Sequence, residues 1–130
     1  MSEIDPFLVL EIEEYEDGEV IFGERSHGDW LYLIINGQVR IQKSIPSGIV
    51  VISTLGKGNC LGEMEFLDRT RVRRSTSAVA VGRVKLGVLD RDSLEKECNS
   101  LSPALRKMIL TLVRRHSQVI EQDVKIAMLE

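Results

Sequence analysis

Cysteine and histidine are scarce in this 130-residue chain, with two of each. Cys60 and Cys98 lie far apart, without the close spacing of a zinc or redox motif. They read as two reduced, mostly buried thiols of a cytosolic protein, where disulfides are rare. His27 and His116 are equally separated, so the chain offers no His-rich metal site of the kind barrel oxygenases and isomerases use. Neither an enzyme activity nor a resident cofactor is expected. Long apolar runs are missing too: none approaches the roughly 20 residues that cross a bilayer. The first residues, Met1-Ser2-Glu3-Ile4-Asp5, are acidic and lack the basic-then-apolar order of a signal peptide. A cytoplasmic location is expected. No second helical pair follows the last helical segment, so there is no helix-turn-helix to enter a major groove, and no direct nucleic-acid binding is expected.

What remains is the composition of one globular domain, taken as residues 1–130. Hydrophobic residues make up 43% and charged residues 28%, enough for a core without disulfides. The net charge of −3 conceals an asymmetry. Residues 1–24 hold nine acids and no base, whereas residues 25–130 carry 17 bases against 11 acids. The acidic stretch reads as a solvated strand edge.

Glycine gives the first structural signal. Gly18, Gly28, Gly37, Gly48 and Gly58 recur about every ten residues, a spacing typical of all-β sandwiches and barrels. Val20-Ile21-Phe22 and Leu31-Tyr32-Leu33-Ile34-Ile35 read as strands, with Tyr32 in the barrel wall. Asn36-Gly37 then has the residues of a two-residue hairpin turn. Val39 and Ile41 alternate with polar neighbours, as in a half-buried strand. Ser47-Gly48 predicts another turn, before Ile49 to Ile52. Val79–Val81 and Val84–Leu89 predict two further strands around Gly82-Arg83. The barrel is placed at about residues 8–90 and helices at about 91–129.

A short helix is expected from Asp92-Ser93-Leu94-Glu95, and a long one from Ser102-Pro103. Serine caps free backbone N–H groups, and proline suits the first helical position. Nothing interrupts the pattern before about Leu129. Leu105, Ile109, Leu112, His116, Val119 and Asp123 recur at spacings of three and four, with Met108, Val113, Ile120, Val124 and Ala127 beside them. Such a helix is about 40 Å long, more than a small barrel covers. The segment 103–129 is expected to pair with a second copy as well.

The stretch Gly58-Asn59-Cys60-Leu61-Gly62-Glu63-Met64 is followed by Arg69, Arg71, Arg73 and Arg74 within six positions. Gly62 allows close backbone approach to a ligand. Arginine forks suit phosphate oxygens. Glu63 accepts hydrogen bonds and so suits a hydroxyl, which makes a sugar phosphate a better match than phosphate alone. Trp30 is expected to pack in a turn, and Arg69 and Arg71 to stay solvated while attracting anions.

These segments, in order, resemble the cyclic-nucleotide-binding domain of catabolite activators, kinase regulatory subunits and nucleotide-gated channels. Asp17 to Phe22 resembles the family's first barrel strands, and Gly28 to Val39 its most recognisable core stretch. Gly62-Glu63-Met64 with Arg74-Ser75-Thr76-Ser77 resembles its phosphate-binding cassette, and Val84-Lys85-Leu86 the strand that follows. The resemblance runs from about residue 15 to residue 122. It implies a mainly β fold, a jelly-roll barrel with a short cassette helix and a long C-terminal helix. It implies cAMP or cGMP as ligand, held by Gly62, Glu63, Met64, Arg73, Arg74, Ser75 and Thr76. Glu63 would take the ribose 2′-hydroxyl, Arg74 the exocyclic phosphate oxygens, and Ser75 would donate to the phosphate. Arg73 fits that role when counted from Gly62, Arg74 when counted back from Val84. Val119 and Ile120 fall where the long helix meets the base; they can pack on a purine but not hydrogen-bond to it. The implied role is a sensor that relays ligand binding through its last helix to a second copy or a protein effector. The alternative is a scaffold that has lost the ligand and acts through dimerisation or partner contact. The chain stops where an output domain is expected to begin.

Overall fold

The computed structural model describes residues 9–24, 31–68 and 76–129. Its strands are β1 (Val9–Tyr15), β2 (Val20–Phe22), β3 (Tyr32–Ile45), β4 (Gly48–Leu55), β5 (Cys60–Leu61) and β6 (Ser77–Leu89). Helix α1 (Glu63–Leu67) precedes β6, and α2 (Arg91–Asn99) and α3 (Pro103–Leu129) follow it. The strands are antiparallel neighbours in the order β1-β6-β3-β4, with β2 added to β6 and β5 to β3. This is the mainly β jelly roll with a short and a long helix that the sequence predicts.

Alternation along β3 and β6 builds the core. Ile34, Val39, Ala78, Ala80, Val84, Leu86 and Val88 point inward and are buried together with Tyr32 and Leu61. A second cluster, Leu31, Phe66 and Leu89, sits where α1 meets the barrel. The acidic strand β1 pairs with β6 alone among the described strands, and Glu11 and Glu14 are exposed. Solvated carboxylates at a sheet edge discourage edge-to-edge pairing.

Three local expectations change. Asn36-Gly37 does not turn the chain; β3 runs through it for 14 residues. The pairing with β6 slips on both sides of Asn36, which marks a bulge. Gly37 adopts φ 93°, and a Cβ there would lie 2.4 Å from the Arg83 carbonyl oxygen. The opposite strand also stays continuous, so Val79–Val81 and Val84–Leu89 are one strand with Gly82 at φ 70° in its middle. Gly82 donates its N–H to Asp17 Oδ1 at 2.7 Å, which ties the bend to the β1–β2 turn. The β3–β4 turn is Pro46-Ser47, one residue earlier than expected, because Gly48 already pairs with Ile45.

Cys60 is exposed and Cys98 half-buried, and both are free thiols. The burial expected for them fails at Cys60 because β5 pleats: Leu61 faces the core, so its neighbour faces out.

The helices start as their residues dictate. Asp90 caps α2, its carboxylate accepting from the Ser93 N–H at 3.2 Å and the Ser93 hydroxyl at 2.8 Å. Ser102 Oγ accepts from the Leu105 N–H at 3.1 Å at the head of α3. Along α3 the single broad stripe expected from the sequence divides in two. Val113, Ser117, Ile120 and Val124 are buried against the domain. Leu105, Met108, Leu112, Val119, Ile126 and Leu129 are exposed. Among the described residues, no helix is long and apolar enough to cross a membrane.

Candidate functional site

Gly62 takes a left-handed conformation, φ 86°, at the head of α1. The chain therefore turns sharply out of β5, and Glu63 and Met64 begin the helix directly at the barrel wall. Above them lies a cavity of about 590 Å³, within the roughly 300–1,000 Å³ usual for small-molecule sites. Gly62, Glu63, Met64 and Glu65 form one side. Phe22, Ile41 and Leu55 form the barrel wall, with Thr76 at its rim. α3 crosses over the top and contributes His116, Val119, Ile120 and Asp123.

Six residues expected at the site from the sequence thus meet in one cavity: Gly62, Glu63, Met64, Thr76, Val119 and Ile120. Arg73, Arg74 and Ser75 lie outside the described residues, as do Arg69, Arg71 and Trp30. His116 and Asp123 are additions: the sequence places them only in a packing stripe. Their spacing of three and four from Val119 and Ile120 is the signal that puts them on the same helix face.

The described walls carry three carboxylates, Glu63, Glu65 and Asp123, and the His116 imidazole. Carboxylates accept hydrogen bonds and repel anions. This part of the cavity therefore suits hydroxyls and base N–H groups, and a phosphate needs a cationic segment beside it. The charge of Glu63 is felt locally at Cys60. Desolvation pushes that thiol's pKa up, and the Glu63 carboxylate adds to the rise.

A smaller cavity of about 300 Å³ lies where α1 ends against the α2–α3 joint. Here Asp68, the residue that caps the end of α1, is buried and accepts from Arg114 Nε at 3.2 Å. Arg106 Nη2 donates to the Asn99 carbonyl at 3.0 Å and closes the end of α2.

Comparison with known proteins places the chain and its fold in a family. The family model for the cyclic nucleotide-binding domain matches residues 12–100. The CRP-like cAMP-activated global transcriptional regulator of Mycobacterium tuberculosis is 28% identical over 103 residues, 78% of this chain and 45% of that protein. The cAMP-dependent protein kinase regulatory subunit of Dictyostelium discoideum is 34% identical over 107 residues, 78% of this chain and 32% of that protein. The crystal structure of the Thermus thermophilus catabolite activator protein superposes with a TM-score of 0.66 at 30% identity, over 92% of this chain and 54% of that one. The chain spans less than half the length of these two curated relatives. A family model that covers most of the chain, on a fold that superposes on a solved relative over 92% of its length, leads to one assignment: this chain belongs to the cyclic nucleotide-binding domain family.

Proposed function

We propose that this chain is a sensor module that binds cAMP or cGMP in the 590 Å³ cavity and relays occupancy through α3. One observation carries the reading: residues from the β5–α1 turn, the start of β6 and the middle of α3 converge on a single cavity. Glu63 is the partner for a ribose hydroxyl. Arg74, or Arg73 one position before it, is the partner for the phosphate, with Ser75. Gly62 leaves room for the ligand. Val119 and Ile120 pack on the base, while His116 and Asp123 supply the hydrogen-bonding groups those two lack.

The family is a regulatory binding domain rather than a catalytic one, so the output of the module is a change of shape or of partner. The exposed stripe on α3 supports a homodimer. Leu105, Met108, Leu112, Val119, Ile126 and Leu129 follow alternating steps of three and four, with Arg115 and Gln122 filling the remaining positions. That is the spacing of a coiled-coil seam, and it lies opposite the stripe that packs on the barrel. A protein effector docking on this same helix is the other form the output takes. In two-state terms, the nucleotide acts by binding one placement of α3 more tightly than another.

Calorimetric titration with cAMP and with cGMP tests the reading, with melting temperature measured alongside. Charge-assisted hydrogen bonds contribute about 1.5–3 kcal/mol. Loss of the phosphate arginine therefore weakens binding about tenfold to a hundredfold or more. Arg73→Ala and Arg74→Ala are compared to decide which of the two serves. No heat and no melting shift at millimolar nucleotide would leave the chain as a non-binding scaffold of the same fold.

A further inference from the structure

The short helix beside the ligand cavity is fastened to α3 by an ion pair. Asp68 Oδ2 accepts from Arg114 Nε at 3.2 Å, and the Asp68 side chain is only 5% exposed. The partners are 46 positions apart in sequence. The same turn of α1 is held from another side, where the Arg91 guanidinium lies 5.2 Å from the centroid of the buried Phe66 ring. The end of α1 is thus tied both to α2 and to α3.

What surrounds the pair gives it a use. Asp68 directly precedes residues 69–75, which hold the proposed phosphate arginines. Arg114 lines the 300 Å³ cavity at the α2–α3 joint and is absent from the walls of the ligand cavity. The cavity at this joint, lined by Leu67, Leu101, Ile109 and Leu110 beside Asn99 and Arg106, leaves the tied helices space to shift together. A pull on the end of α1 then moves α3.

We infer that Asp68–Arg114 couples the end of α1 to the first part of α3, which lies outside the ligand cavity, with Arg114 a positioning residue that lines no wall of that cavity. This rests on reading the larger cavity as the nucleotide site. Removing both charges together releases this tie and changes no residue of the larger cavity's walls. A buried carboxylate deprived of its cation is costly, so Arg114→Gln alone can unfold the chain. The paired change Asp68→Asn with Arg114→Gln removes both charges at nearly constant shape.

The test uses the full chain as wild type, Asp68→Asn, Arg114→Gln, Arg114→Lys and the double variant. Nucleotide affinity is measured by calorimetry, and amide hydrogen exchange along 103–113, the part of α3 before the cavity-lining residues, is followed with and without cAMP. The expected result is that cAMP slows exchange in wild-type α3. The Asp68→Asn and double variants bind within about tenfold of wild type, yet lose at least half of that response, with the double no worse than either single change. Arg114→Lys recovers part of it. A full wild-type response of α3 in Asp68→Asn and in the double variant would overturn the coupling. If wild type takes up neither cAMP nor cGMP, the nucleotide reading fails separately. The pair is then judged without ligand: additive effects of the two single changes on α3 exchange overturn it, and non-additive effects support it.

Discussion

Replacing Gly37 with alanine tests how the two long strands cross. Gly37 lies at φ 93°, where an L side chain costs about 1–2 kcal/mol. The added Cβ would stand 2.4 Å from the Arg83 carbonyl oxygen and 3.0 Å from Val84 Cα. Both are backbone atoms of β6, and Val84 is fully buried. No side chain can swing away, so the strand itself must move, a form of overpacking that costs about 1–3 kcal/mol. Alanine also restricts the unfolded chain, which offsets about 0.4–1 kcal/mol. The net loss is about 1–5 kcal/mol. Gly58 is the control: its φ is 92°, with nothing within 4 Å of an added Cβ. Gly58→Ala carries the strain without the collision, a net of about 1 kcal/mol. Urea unfolding followed by far-ultraviolet circular dichroism reads the difference. With a slope of about 1–3 kcal/mol per molar for a small domain, the Gly37→Ala midpoint falls about 1 M below that of Gly58→Ala. Equal midpoints would refute the close crossing of β3 and β6.

Three further outcomes are expected. Leu112, 58% exposed on the outer stripe of α3, lies in the proposed dimer seam and away from the barrel; Leu112→Glu is expected to convert a sedimenting dimer to a monomer with an unchanged circular dichroism spectrum. A monomeric wild type would remove the dimer. Cys60 reacts with iodoacetamide more slowly at neutral pH than an unperturbed thiol, because its raised pKa lowers the thiolate fraction. Cys60 lines the larger cavity beside Glu63, so in a Cys98→Ser background Glu63→Gln speeds the labelling and saturating cAMP slows it; labelling indifferent to cAMP would put the nucleotide elsewhere. The Asp90 carboxyl is held below its ordinary pKa, first by the Ser93 hydroxyl and then by the Ser93 N–H. A folded-state pKa below the unfolded one stabilises above the unfolded value, and the contribution fades as pH falls through the folded one. The stability gap between wild type and Asp90→Ala therefore narrows as pH drops below about 4, and a gap that stays constant into strong acid would contradict the cap.

Much of the fold is written locally. Ser102-Pro103 sets the start of α3 because its signal, a hydroxyl beside free N–H groups, needs no distant partner. Asn36-Gly37 misleads because the backbone freedom that permits a tight turn equally permits a bulge; the choice is made by Arg83, far along the chain on β6. The stripe on α3 is ambiguous for a similar reason. Val113 and Leu112 are both apolar neighbours, and only the position of the barrel decides which is covered. At the candidate site, Gly62 and Glu63 are legible from residue type and order, whereas Asp123 reads as one more position of a packing stripe until the helix is laid across the cavity. The Asp68–Arg114 pair has no sequence signal at all, since its partners belong to different elements.

Val119 belongs to two surfaces at once: it lines the cavity, and half of it lies in the outer stripe of α3. On the proposed reading, a single side chain there answers to two selective demands, one from a nucleotide in the cavity and one from a second copy on the helix. Drift toward a different base and drift toward a different partner draw on the same codon, so neither trait can be retuned at this position in isolation. Lineages of this domain that change ligand are expected to carry compensating changes elsewhere along the stripe, at Leu112 or Ile126, rather than at the cavity alone.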